Sequence, residues 1–553
     1  MSKLSRLFIA AAMVAMLASG PSVPAQTEIL VKTSTHLIEV PAGESLQSSG
    51  TIRLAATLYQ PRFLAAAPAV VYIHGFGGRR LTGTDNLAFY IATAGYTVLS
   101  YTARGFGEGE SGGHVTIAGP DEINDLKQVL DWLMDDPDDV ISPRVTRIGV
   151  IGGSYGGGHS FQIDSDPRIA AAVPLIGWTD LEQALYPNGA INYKLGIGQF
   201  FSGLERGTGS APFYNYDRLL FEMFDTAADG SALSQGIKQA MAARSIAERG
   251  PDGREVLKSS RRPSAPTFII QSWDDHLFPS TQVTDVFAQI TVPKQIYLGR
   301  TGHPPGGNEF VAEEEYIGTQ ALRWLDHYLR GISGTDSKNI ASAPVPFNGQ
   351  ILTTTEFPKD SLALYLKAGG SLSKKKKKGN EGQETAGGIF HHNRIRSSRL
   401  GAEIPSQSDM LSGTVESIGQ LPRHLAYTFG PLDSDIEVLG ASDLSLFVSS
   451  TTSSDFDLIV RSYDVAPDGT ETEVTVGVTR VTGLAPGEVR RVKFRDFGDN
   501  WIFRRGHSIR LKVTNIDFPD FRPPGANDEL RSEFTIHNSR TFLSSIKLPV
   551  RAR

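Results

Sequence analysis

Ile148–Gly158 reads "IGVIGGSYGGG": an apolar run that stops on Gly152-Gly153, then one serine, one tyrosine and three more glycines. Glycine loses more conformational freedom on folding than any other residue and packs nothing, so such a cluster needs a cause. Residues 152–156 fit G-x-S-x-G, set between a strand-like "RIGVI" and a helix-like "GGHSFQID". A strand-to-helix turn that lifts a serine hydroxyl into the open forces that serine into sparsely populated φ/ψ, and side chains two positions to either side would collide. The stretch therefore reads as a nucleophile elbow, with Ser154 Oγ exposed and the Tyr155 amide, at a helix N-terminus, as a donor to a developing oxyanion.

An elbow needs a sheet, and the sequence around it supplies one. "APAVVYIHG", "YTVLSYTARG", "RIGVIGG", "IAAAVPLIGW", "APTFIIQSW" and "KQIYLG" are apolar runs separated by helix-like segments. Strands apolar on both faces between helices predict a parallel sheet covered on both sides. In "DEINDLKQVLDWLMDD", Ile123, Leu126, Val129, Leu130 and Leu133 fall on one helical face. The strand rhythm stops over residues 178–264, predicting a helical, irregular cap over the C-terminal edge of the sheet. "YIGTQALRWLDHYLRG" then closes the first domain as an amphipathic helix ending at Gly331.

Beyond residue 336 short β-like runs such as "DLSLFVSS", "DFDLIVRSYDV" and "SIRLKVTNID" alternate with turn signals "APDGT" and "APGEV". That pattern predicts an all-β sandwich or jelly roll of the galactose-binding-like kind. Within it "SLSKKKKKGNEGQETAGG" reads as an exposed loop around Lys374–Lys378, with a polybasic docking patch as the lesser alternative. The expected organisation is residues 1–25 as a signal peptide, 26–335 as an α/β domain with the cap inside it, and 336–553 as the β domain. Lys3 and Arg6 precede the apolar "LFIAAAMVAMLA", too short to span a bilayer comfortably, and "VPAQ" places cleavage after Ala25. Export to the periplasm or beyond the cell follows, with no membrane attachment after cleavage.

The 553 residues carry a formal charge of −6, without the basic footprint of a nucleic-acid binder, and contain no cysteine. No zinc-binding H-E-x-x-H, dinucleotide fingerprint or P-loop occurs, so neither metal nor cofactor is expected; the expected partner is a small ester, amide or short peptide substrate.

A serine is a poor nucleophile without a base, and chain order in hydrolases with this elbow runs Ser, Asp or Glu, His. "QSWDDHLFPS" offers Asp274 and Asp275 just past a strand end, and Pro279, four residues on, favours Asp275. His303, in "GRTGHPPGG", follows the last strand in a Gly/Pro-marked loop. His36, His74, His114 and His159 precede the acid, His276 is too near it, His327 lies in the closing helix, and His507 in the β domain. The second oxyanion donor is expected from "HGFGG", His74–Gly78, at the Phe76 amide, with His74 ordering the loop.

These motifs, with the C-terminal "PLDSDIEVLGASDLSLFVSSTTSSDFDLIVRSYDVAPDGT" and "RRGHSIRLKVTNIDFPDF", resemble the X-Pro dipeptidyl-peptidase and cocaine esterase family of serine hydrolases over most of the chain. The resemblance implies an α/β-hydrolase with a helical cap and a jelly roll, cleaving esters or amides through a triad of Ser154, Asp275 and His303. Many members place a tyrosine hydroxyl in the oxyanion hole from a "PYG"-like loop; here that loop is "HGFGG", which sets the peptidase subgroup apart. Cap carboxylates able to hold a substrate amine stay unassigned among Asp180, Glu182, Glu205 and Asp217. The expectation is an ester or amide hydrolase. Its alternatives are an X-Pro dipeptidyl-peptidase, or a carbohydrate- or cell-wall-binding protein with a vestigial hydrolase domain.

Overall fold

Ten strands, most of them apolar on both faces, build one sheet around the elbow. The computed structural model describes residues 30–43, 50–137, 139–198, 222–223, 226, 230–303, 311–334, 340–345, 350–376, 382–392, 413–525 and 529–551. The segment read as a signal peptide lies outside them, as do Glu205, Asp217, Lys377 and Lys378.

The strands are β1 (Val31–Pro41), β2 (Thr51–Pro61), β3 (Ala66–Ile73), β4 (Thr97–Tyr101), β5 (Arg144–Gly153), β6 (Ile169–Leu175), the short β7 (Ile191–Asn192), β8 (Ala247–Arg249) and β9 (Glu255–Leu257), then β10 (Thr267–Ser272), β11 (Lys294–Gly299), β12 (Ile340–Ser342) and β13 (Leu352–Thr354). The sheet order is β1-β2-β4-β3-β5-β6-β10-β11-β12-β13. From β4 to β12 every neighbour is parallel, and antiparallel pairs close both ends. The helices are α1 (Leu87–Thr93), α2 (Pro120–Asp135), α3 (Tyr155–Ile163), α4 (Leu181–Leu185), α5 (Gln235–Ala243), α6 (Ser280–Phe287) and α7 (Val311–Arg330).

Each face of the sheet has its own core. Residues of α1 and α7, such as Phe89, Ile91, Trp324 and Leu325, pack on Val70, Val98, Ile151, Val173 and Ile270. On the other face Leu126, Val129, Leu130 and Leu133 of α2 meet Leu58, Val71, Leu99 and Val150. Helix α6 covers β10 and β11 through Val283, Val286 and Phe287 against Ile269, Ile296 and Leu298. The sheet extends past residue 336, because β12 and β13 add to it before the chain turns to the β domain. The face of α2 also differs from the apolar stripe: Glu122 and Asp125 are buried with the leucines, while Ile123 is only partly so.

The second domain is a jelly roll, an α/β-hydrolase appendage built from a twelve-stranded sheet over residues 361–549 and a two-stranded ladder of 436–440 with 499–503. Its core includes Leu446, Phe456, Leu458, Trp501, Leu511 and Ile536. The ends of the lysine-rich stretch are strand, while its described lysines, Lys374–Lys376, are exposed and outside any strand. Ser371–Ser373 and Gln383–His392 are strands, and the Lys374 and Lys376 amines lie over the rings of Phe429 and Tyr365.

The cap is only partly helical. Between α4 and α5 it supplies β7, which pairs with Phe521–Arg522 of the β domain, and after α5 the β8–β9 hairpin. Asn188 Nδ2 donates to Val478 O at 2.7 Å, so the cap is tied to the jelly roll as well as to the sheet. Among the described residues no helix is long and apolar enough to cross a membrane.

Candidate active site

Ser154 joins β5 to α3 at φ 59°, ψ −115°, a left-handed backbone that an L-residue enters only when its surroundings impose it. The glycines supply that condition. A Cβ at Gly152 would stand 2.5 Å from Gly156 O, one at Gly156 2.2 Å from Ile73 O, one at Gly157 2.5 Å from Leu175 O, and one at Gly158 2.5 Å from the Trp178 ring. Helix α3 thus lies directly on the backbones of β3 and β6, and the sharp turn leaves Ser154 only half-buried.

Three side chains from three loops meet here. Ser154 Oγ is 3.0 Å from His303 Nε2, and His303 Nδ1 is 2.9 Å from Asp275 Oδ2. Asp275 is fully buried, and its other oxygen accepts the amides of Leu277 at 3.0 Å and Phe278 at 2.9 Å. With an acceptor on the Nδ1 side, neutral His303 carries its proton on Nδ1 and leaves Nε2 free to accept from the hydroxyl. The Phe278 ring stands edge-on to the imidazole at 4.9 Å and fixes its plane. Asp274 points elsewhere: 43% of its side chain is exposed, and it pairs with Arg300 at 2.6 Å.

The HGFGG loop crosses close above the elbow. A Cβ at Gly75 would lie 3.6 Å from Gly153 O and 3.8 Å from Ser154 Cβ. His74 is buried; its Nδ1 bonds Gly75 O at 2.8 Å, and its Nε2 accepts the Ala103 amide at 3.0 Å. Burial pushes this imidazole down to about 4, so it is neutral at pH 7. Phe76 packs edge-on against Phe106 and Tyr155. Tyr155 opens α3, where the first backbone N–H groups have no partner within the helix.

Behind the elbow sits a buried polar cluster that motif reading missed. Glu122 accepts the amides of Thr116 and Ala118, each at 2.5 Å, and the Tyr155 hydroxyl at 2.6 Å. His159 Nε2 stands 3.2 Å from the same carboxylate, off the line of a good hydrogen bond. Burial opposes the charge on Glu122, but these partners outweigh it and hold the carboxyl below its ordinary range. Ile117 and Ala118 have φ of 50° and 53°, so the carboxylate clamps a strained loop under the tyrosine that follows the nucleophile. Glu122 lies four residues before Leu126, on the apolar stripe, and an acid in that register was the available signal.

The remaining acids and histidines lie apart. Asp180 is buried and caps α4 through the amides of Glu182 and Gln183, an engaged carboxylate rather than a solvated one; Glu182 is half-buried. His276 is held by burial below the usual imidazole value and meets Phe497 edge-on. His327 bonds Ile332 O, and His507 bonds Asp464 in the β domain. Among the described residues no three His, Asp or Glu side chains are grouped to hold a metal ion.

Comparison with known proteins gives a consistent family picture. Residues 49–305 match the description of the X-Pro dipeptidyl-peptidase (S15 family), and residues 340–547 that of the X-Pro dipeptidyl-peptidase C-terminal non-catalytic domain. A Mycobacterium bovis protein provisionally named a serine esterase is 31% identical over an alignment of 153 residues, and the match covers 23% of this chain. The chain spans about a quarter of that relative's length, 24%. An alpha-amino acid ester hydrolase superposes with TM-score 0.70 at 19% identity, over 97% of this chain and 99% of the other. An aminopeptidase from a marine sediment Thaumarchaeota archaeon superposes with TM-score 0.69 at 16% identity, over 96% and 98%. At these identities the structural likeness speaks for the fold.

Proposed function

The chain belongs to the X-Pro dipeptidyl-peptidase (S15) family, and from that premise we propose that it is a serine hydrolase cleaving an ester or amide through an acyl-enzyme, with Ser154, His303 and Asp275 as its triad. The observation that carries this reading is the unbroken contact chain Ser154 Oγ–His303 Nε2, His303 Nδ1–Asp275 Oδ2, ending on a serine at φ 59°. His303 takes the Ser154 proton as the hydroxyl attacks the acyl carbon, and later delivers it to the leaving group. Asp275, fixed by the Leu277 and Phe278 amides, keeps the imidazole in the productive tautomer and stabilises its charged form. The amides of Tyr155 and Phe76 receive the charge that forms on the acyl oxygen, each worth about 3 kcal/mol.

The substrate we infer is a small ester, amide or short peptide. The positively charged and apolar N-terminal segment supports export of the chain.

Labelling with a serine-reactive fluorophosphonate tests the reading. The wild-type protein takes up one equivalent, and Ser154→Ala takes up none and loses turnover of p-nitrophenyl esters by about 10⁴-fold or more. Equal labelling of the two proteins refutes it. A substrate panel of acyl esters, aminoacyl amides and Xaa-Pro anilides separates the esterase from the dipeptidyl-peptidase.

A further inference from the structure

Arg300 sits three residues before His303 on the loop that leaves β11, and only 5% of its side chain is exposed. Its guanidinium touches both sides of a domain boundary. Nη1 donates to Asp274 Oδ1 at 2.6 Å, next in sequence to Asp275, and to Asp499 Oδ2 at 3.2 Å. Nη2 donates to Asp499 Oδ1 and, at 3.2 Å, to Asn500 O. Its backbone amide donates to Glu313 Oε1 at 2.6 Å. Asp499 and Asn500 belong to the jelly roll, and both are buried.

A second set of bonds runs beside this one. Ser342 Oγ accepts from both Trp273 Nε1 and Asn500 Nδ2 at 2.9 Å. Trp273 N donates to Gly299 O at 2.9 Å, and Gly302 N to Ser272 Oγ at 2.9 Å. Ser280, just after the acid turn, donates to Phe497 O at 2.7 Å. The acid and base loops are thus cross-linked to each other and pressed onto one edge of the β domain.

We propose that Arg300 and Asp499 form a positioning device through which the jelly roll sets the approach of Asp275 to His303. The inference rests on the triad reading above. A planar guanidinium holds several acceptors in fixed geometry, which an ammonium cannot do. Removing Arg300 leaves the buried Asp499 carboxylate without its cation, removing Asp499 leaves Arg300 held by the partly exposed Asp274 and the Asn500 carbonyl, and either change loosens the loop that carries the imidazole. Misplacement of a reacting group by about 1 Å costs about 10²-fold in rate.

The test uses the full chain, a p-nitrophenyl ester, and the variants Arg300→Met, Arg300→Lys, Asp499→Asn and Asn188→Ala. The last severs a cap-to-jelly-roll contact and touches neither loop. Each is assayed for kcat, KM and fluorophosphonate labelling rate, below its melting temperature by circular dichroism. Arg300→Met lowers kcat and labelling about 10²-fold with KM within about threefold. Arg300→Lys recovers about tenfold of that loss, Asp499→Asn loses about tenfold, and Asn188→Ala lowers Tm with kcat within about twofold. Wild-type kcat in folded Arg300→Met overturns the proposal. Should that variant not fold, wild-type kcat in both Arg300→Lys and Asp499→Asn overturns it. A wild-type protein that neither labels nor turns over esters refutes the hydrolase reading instead.

Discussion

The elbow and the acid–base side of the site hold their shapes by different means. The elbow is governed by its near neighbours: Gly152 and Gly156 let α3 close onto β3, His74 pins its own loop, and Glu122 clamps residues 116–118 beneath Tyr155. The acid and base loops lean on chain two hundred residues away, through Arg300 with Asp499 and Ser280 with Phe497. One half of the site is set by sterics within the hydrolase fold, the other by ionic and polar contacts to a second domain. Substitutions at the residues that support the elbow should therefore act on folding, and those at the residues that support the acid and base loops on catalysis.

The adjacent carboxylates sharpen that contrast most. Asp275 is wholly buried and faces the imidazole, whereas Asp274 faces Arg300 and solvent. Asp275→Asn should lower kcat about 10⁴-fold, because an amide at this position favours the wrong imidazole tautomer. Asp274→Asn should cost about threefold, since Asp499 still holds Arg300 and the lost pair is partly exposed. Steady-state kinetics on both variants decides it, and equal losses would mean that the two acids share one role.

The same division governs what could be read from the chain. The parallel sheet, the elbow and the all-β second domain follow from local patterns: apolar runs, a glycine cluster, turn dipeptides. Asp275 and His303 were approachable because chain order and strand ends bracket them. Arg300 and Asp499 were not, since nothing near "LGRTGH" or "FGDNW" signals that the two will meet. The short strands β12 and β13 were lost for a related reason: three residues carry too little periodicity to mark a strand. Glycine chemistry offers a direct check on the local half. Gly156→Ala drives a methyl into Ile73 O and should cost about 3 kcal/mol of stability. A Cβ at Gly153 meets nothing within 4 Å, so Gly153→Ala should stay within about 0.5 kcal/mol. Urea unfolding of the two variants measures the difference; similar costs would remove the steric account of the elbow.

The smallest effect concerns the imidazole that holds the HGFGG loop. In the folded chain burial keeps His74 neutral down to about pH 4, while in the unfolded chain it takes up a proton near 6.5. Its contribution is therefore complete above pH 6.5 and is lost as pH falls toward 4. At pH 5 the loss amounts to about 2 kcal/mol. His74→Asn carries no titrating group, so its unfolding free energy should fall less between pH 7.5 and pH 5 than that of the wild type, by about 2 kcal/mol. Parallel pH dependences would mean that His74 is solvated, and that the loop over Ser154 is ordered by Phe76 packing against Phe106 and Tyr155 instead. The elbow side would then be apolar throughout except for the Glu122 clamp, and its difference from the ionic acid–base side would be wider still.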